Sequence, residues 1–494
     1  MIFRCLFSLL LAGVLLVQNR LAAGQAIDAA SGQTVNPDYS ELFTAYEGDL
    51  ATLAAVNVHD ARLDILADGL NKPWAMEFLD GRELLISEFD GRLLRLDLAD
   101  GSRREITGLP DIATGQDQVG LLDVELHPRF SENQRIYFSY VSSDEKTGRF
   151  FATAVGSAVL VEDRLSEFQQ ILIAEPFDWS PANFGGALEF GGDGFLYVTV
   201  GDRSVSERAQ ALDRLEGKVL RLNDDGSAAP GNPFVDTPGA DPRVYALGLR
   251  NPQGLHWDAE SACMFAAEHG PLGGDEINLV KAGANFGWPV VTYGMDYIMA
   301  PMGAGTHADG MTQPLFYYLP SEAISPLTVY RGAMFPQWDG HILAGALKGK
   351  HVSKVALDGL SVRSEYPILG EINGRIRDIK VAPDGAVLVL SQNGKLYRLS
   401  RDSTISAEPP PVNNQLLYQI ICSGCHDSGG YNAPRLSHPE EWTAVLRRQR
   451  QDVYQRAREG VGDMPEKGMC YHCSDEQLND LVDYMLDRVA DKDQ

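Results

Sequence analysis

The feature that most constrains this chain is a hairpin unit that keeps returning. Short runs of β-formers are separated by Asp-Gly or Asn-Gly, as in Glu83–Ser87, Asp90-Gly91, Arg92–Leu96 and Asp100-Gly101. The unit recurs as Asp193-Gly194 before Phe195–Val200, as Asp384-Gly385 before Ala386–Leu390, and as Asn393-Gly394 before Lys395–Leu399. These dipeptides favour tight turns whose backbone twist matches that of paired strands. Hairpins repeated over so long a segment leave many strand edges, and a closed ring of blades protects them. The expected fold class over residues 60–400 is therefore all-β, a β-propeller.

The texture then changes. Residues 401–416 carry Pro409, Pro410 and Pro411 among polar residues and read as a semi-rigid linker. Residues 417–494 read as a small all-α domain. Gln415 to Ile421 leads in helically, and Pro439 to Ala457 reads as one amphipathic helix. A final helix opens at Ser474, with Gln477 completing a capping box. Its apolar stripe is Leu478, Leu481, Val482, Met485 and Leu486.

Cys422-Ser423-Gly424-Cys425-His426 is the arrangement that attaches haem c. Two thiols bind the porphyrin covalently, and the adjacent imidazole of His426 becomes an axial ligand of the iron. Cys470 and Cys473 read as a short local disulfide rather than part of a zinc site, which would have to borrow the haem cysteines. Cys5 leaves with the leader, and Cys263 is expected as a small buried apolar residue. The leader is residues 1–26: Arg4, an apolar run to Val17, then small residues at Ala22, Ala23, Gly24 and Ala26. That pattern predicts a cleavable signal peptide and a periplasmic or secreted protein, with residues 27–59 as an N-terminal arm. With 68 acidic against 42 basic residues the net charge is −26, which argues against nucleic acid or anionic membranes as partners.

Several ordered segments carry a resemblance. They are Gln118–Val124, Leu126-His127-Pro128, Leu249–Leu255, Glu268–Pro271, Gly274–Leu279, Asn285–Pro289, Gly345–Lys348 and Arg375–Asp378. In these, residues 60–400 resemble the soluble glucose and aldose sugar dehydrogenases that use pyrroloquinoline quinone (PQQ), which are six-bladed propellers. Residues 417–488 resemble a class I cytochrome c of the short type. The first resemblance implies a quinone pocket built from Gln118, Arg250, Asn251, Lys348, Arg375 and Arg377. A tricarboxylate needs such forks, point charges and amides. It also implies a calcium ion held by Gly270, Pro271 and Asp275, with Glu276 serving either a second calcium or structural hydrogen bonds. The second implies Met464 as the distal iron ligand, with Met469 and Met485 as rivals.

One departure stands out. Asn183 occupies the position of the family's general-base histidine, and Ala187 replaces its usual arginine. An amide cannot accept a hydroxyl proton, and that help is typically worth about 10²–10⁴-fold. Three readings stay open: a locally shifted alignment, another base such as Asp178 or Glu175, or a propeller that binds without this chemistry. The expected function is a quinohaemoprotein dehydrogenase that oxidises a sugar or alcohol and passes electrons through haem c to a redox partner. The alternative is a non-catalytic binding propeller tethered to an electron-carrying cytochrome. Tyr293 is expected either at the pocket mouth or in packing.

Overall fold

The computed structural model describes residues 26–27, 34–35, 61–116, 118–297, 302–402, 414–427, 429, 433–462, 464, 466–470 and 473–490. The expected leader, Ala26 apart, lies outside them, as do most of the arm and the linker.

Six four-stranded antiparallel sheets form the propeller. Their innermost strands are Pro73–Phe78, Leu121–Leu126, Gly185–Phe190, Pro252–Asp258, Ile324–Val329 and Ile376–Val381, in blades 1 to 6. Blade 6 takes its outermost strand, Ala61–Ala67, from the other end of the domain, paired with Lys395–Arg401. This junction closes the ring by pairing the two ends of the domain in one blade. The expected hairpins are present: Glu83–Glu88 pairs with Arg92–Asp97 across Asp90-Gly91, and Val387–Ser391 pairs with Lys395–Arg401 across Asn393-Gly394. Gly91 and Gly394 sit at φ 91° and 90°, a region that side chains disfavour.

A device invisible in the sequence fixes the blade spacing. Every innermost strand slips register near its start, a bulge that frees a backbone N–H. In three blades a buried hydroxyl of the second strand fills that gap. Ser87 accepts from Ala75 N, Ser139 from Asp123 N, and Thr199 from Ala187 N, at 3.0, 3.0 and 2.9 Å. Each hydroxyl then donates to a carbonyl of the next blade, at Leu122, Gly186 and Pro252 respectively. One side chain thus satisfies its own blade and ties it to its neighbour.

Two local expectations need correction. Cys263 is partly exposed rather than buried, because it begins the second strand of blade 4 directly after the turn that holds Ser261. The segment from Pro439 is not one helix but Pro439–Trp442, Thr443–Leu446 and Arg450–Glu459, broken at the extended Gln449. The two halves answer to different neighbours. Trp442 is tied to the Arg435 carbonyl, while Arg450 and Tyr454 pair with Asp483 on the last helix. That helix, Asp475–Ala490, opens with the expected reciprocal Ser474–Gln477 bonds and buries the whole expected stripe.

Candidate active site and haem centre

Antiparallel pairing puts the start of each innermost strand and the end of its second strand at the same end of the blade. Gln118, Asn183, Arg250, Asn251, Arg375 and Arg377 lie at such starts, and Lys348 and His269 follow such ends. One face of the propeller therefore gathers all the predicted quinone-binding residues.

Contacts knit them together. Gln392 accepts from Arg375 Nε at 2.9 Å and from Arg377 Nε at 3.0 Å, holding the two guanidiniums side by side. Arg377 also lies 4.0 Å over the ring of Trp74. Arg250 donates to the His269 and Gly270 carbonyls, both at 3.1 Å, and to the Tyr297 hydroxyl at 3.2 Å. Asn251 is fully buried, accepting from Gly185 N at 3.1 Å with its amide nitrogen 3.4 Å from His269 Nδ1. Lys348 is exposed and close enough to Glu322 to favour that carboxylate's charged form.

His269 reports the field of this face. Burial, then Arg250, Arg377 and Arg375, push its imidazole down to about 3, and its Nε2 is buried without a partner. Three guanidiniums from two blades converge there, an arrangement that suits a polyanionic ligand. Donor types and charge fit a tricarboxylate quinone.

The loop expected to meet calcium is braced from behind. Asp275 accepts from Gly270 N at 2.8 Å, from Ser321 Oγ at 2.8 and 2.9 Å, from Ala323 N at 2.5 Å and from Ile324 N at 3.3 Å. Burial still raises it to about 6. Those donors occupy the carboxylate, and Arg250 occupies the Gly270 carbonyl in the same way, so a calcium ion here would have to displace donors from this loop. Glu276 accepts from Asn278 Nδ2, which also bridges to Glu268.

Asn183 is buried at φ 56°, with its N–H on Gln118 Oε1 at 3.2 Å. Its amide donates to Asp202 Oδ1 at 2.9 Å. Asp202 also accepts from Trp288 Nε1 and Ser204 N, both at 2.8 Å. The alternative bases fare poorly. Asp178 is tied to Arg208 at 2.8 Å, and Glu175 is exposed. Tyr293 stacks on Tyr317 with centroids 4.0 Å apart, a packing role. Sequence reasoning missed Asp202 and Gln392. Each follows the end of its blade's second strand, and that shared placement was the available signal.

The haem motif stands on the helical turns Tyr418–Cys422 and Ser423–His426, with Cys422 and Cys425 unbridged. His426 Nδ1 lies 2.8 Å from the Pro434 carbonyl, to which it donates, leaving Nε2 as the lone-pair nitrogen an iron needs. Its ring packs 5.5 Å from that of Trp442. These residues fit a covalently held haem. Met464 is partly buried against the apolar cluster that includes Trp442 and Met485, and Met485 is itself buried in that cluster from the last helix. The side chain of Met469 lies outside the described residues. Cys470 and Cys473 are bonded to each other.

A closed propeller with an arginine-lined axial face, joined to a haem-binding helical domain, defines the class of quinone-type sugar dehydrogenases with a cytochrome c. Residues 70–398 match the model of the glucose/sorbosone dehydrogenase family, and residues 413–485 match that of cbb3-type cytochrome c oxidase subunit III. The chain is 38% identical over 360 residues to the aldose sugar dehydrogenase YliI of Escherichia coli, covering 71% of this chain and 94% of that protein. The crystal structure of the soluble Escherichia coli aldose sugar dehydrogenase in its apo form superposes with a TM-score of 0.66 at 35% identity, over 69% of this chain and 99% of that one. The PQQ-bound aldose sugar dehydrogenase of Streptomyces coelicolor gives 0.58 at 25% identity, over 70% and 99%. This chain belongs to the glucose/sorbosone dehydrogenase family.

Proposed function

We propose that the chain is a periplasmic or secreted quinohaemoprotein dehydrogenase. It oxidises a hydroxyl of an aldose or related alcohol at bound PQQ and passes the electrons through haem c to an external acceptor. The observation that carries this reading is the convergence of Arg250, Arg375 and Arg377 on His269, in a chain that also holds a haem-attachment motif. When bound, the quinone would supply the two-electron acceptor. Arg250, Arg375, Arg377 and Lys348 would neutralise its carboxylates, with Gln118 and Asn251 as neutral donors. The Gly270 and Pro271 carbonyls would hold calcium beside it, kept in place by Asp275. Cys422 and Cys425 would fix the haem, with His426 and Met464 as axial ligands.

Asn183 favours a second reading, a propeller that binds without turning over. Its amide cannot take the substrate proton; the adjacent Asp202 carboxylate already accepts from Asn183, Trp288 and Ser204, and Asp178 is tied to Arg208. The test uses the purified full chain loaded with PQQ and calcium. Reduction of the haem absorption band by an aldose or alcohol supports the dehydrogenase. Tight quinone binding with the haem staying oxidised, whatever the substrate, supports the binding propeller.

A further inference from the structure

The axis of the propeller holds a second population of ionisable groups, inward of the arginines. Strand register puts them there. Glu77, Glu125, Glu189, Thr328 and Lys380 are each the penultimate residue of their innermost strand, and so fall at one level. Asp123 and Asp378 sit two residues nearer the strand starts and, by the two-residue pleat, face the same way. A small open cavity is lined by Trp74 and Arg377 and by Asp123, Glu189, His256 and Lys380. It is thus continuous with the arginine-lined face. Glu189 and Lys380 keep 17% and 29% of their side-chain surface although they lie at the centre of the domain, because they face this cavity.

Charge in the file is unbalanced. Lys380 is paired with Glu77, and His256 Nδ1 lies 3.9 Å from Glu189. Glu125, Glu189, Asp123 and Asp378 share that one lysine. Oxidation of a carbinol to a carbonyl breaks one C–H and one O–H bond and yields two electrons and two protons. A haem held at Cys422 and Cys425 would hand electrons singly to an external acceptor and would carry no proton. Both protons need their own way out.

We propose that this axial file of carboxyl groups is the proton exit of the dehydrogenase, taking protons at Asp123 and Asp378 and passing them inward past Glu125 and Glu189. It rests on the reading under Proposed function. Burial foremost, then carboxylate neighbours, raises Asp123 to about 7 and Asp378 to about 6. Burial likewise raises Glu189 to about 8, with Lys380 opposing, and lifts Glu125 well above the usual range. Lys380 is held charged by Glu77, Glu125, Asp378 and Glu189, and burial keeps His256 neutral near pH 7. Groups that titrate at the working pH exchange protons readily in both directions.

The test compares the full-length, haem-loaded protein with Glu125→Gln/Glu189→Gln and, separately, with Asp378→Asn, which keeps an acceptor for Met76 N. Before any quinone is added, the infrared carbonyl stretch of protonated carboxyl groups should titrate around neutral pH in the wild type and weaken in both variants. With PQQ, calcium and an aldose, a pH-indicator dye should show proton release slowed by about tenfold or more in the variants, with quinone affinity unchanged. No neutral-range carboxyl signal, or unaltered proton release, overturns the exit. A wild-type haem that no sugar reduces overturns the functional reading itself, and the exit with it.

Discussion

At the scale of single residues, Asn183 decides the chemistry. Its amide nitrogen donates to Asp202 at 2.9 Å, the bond that a histidine Nδ1–H at the same position would make. Asp202 is itself held by Trp288 and Ser204, so it would orient an imidazole without rearrangement. Asn183→His is therefore expected to raise kcat of the quinone-loaded protein by up to about 10²–10⁴-fold. No gain with any aldose would count against Asn183 as the missing base. In the haem domain, Met464→Ala should leave haem covalently attached through Cys422 and Cys425. A redox titration should show the potential falling as the thioether is lost.

At the scale of elements, the bulge at the head of each innermost strand is the weak point that hydroxyls repair. Ser139→Ala would orphan Asp123 N and leave the Gly186 carbonyl without its side-chain donor. The expected loss is about 1–3 kcal/mol in urea unfolding. Ser139→Thr, which keeps the hydroxyl, should recover part of it. Blade 5 carries the opposite case. Lys354 is fully buried over the rings of Trp338 and Tyr366, its Nζ has no hydrogen-bond partner, and burial drives it down to about 7. The unfolded chain binds a proton there between pH 7 and the ordinary lysine range, so the folded state is disfavoured as pH falls through that window. Lys354→Met should raise the urea midpoint at pH 7.

At the scale of the whole molecule, buried titrating groups of opposite sign set how stability varies with pH. Asp123, Glu189, Glu322, Glu365 and Asp378 are raised, chiefly by burial, to between about 6 and 8. Each contributes stability that is fully present below its unfolded value and is lost as pH rises through its folded one. His256, His341 and His351 are lowered by burial to about 4. The unfolded state takes up protons at these first, so acid removes stability between the ordinary histidine value and about pH 4. Between about pH 4.5 and 6.5 the five carboxyls outnumber the three imidazoles, so the thermal midpoint should fall as pH rises through that window. A midpoint rising steadily from about pH 4.5 to 6.5 would contradict this account of the interior.

The sequence by itself determined what depends on local patterns. Asp-Gly and Asn-Gly turns placed the hairpins, Ser474 and Gln477 capped the last helix, and Cys422–His426 announced the haem, because each rests on residues within a few positions of one another. It also listed Arg250, Arg375 and Arg377 as ligands of one pocket. Only the tertiary structure decided how they meet: Gln392 pairing two guanidiniums, Asp202 gripping Asn183, Asp275 turned into its loop. The same holds for the hydroxyls that stitch blade to blade and for the carboxyl file along the axis. Apart from the Asp275–Gly270 bond, those contacts join residues from 12 to 303 positions apart, and ring closure and strand register, not neighbouring sequence, bring them face to face.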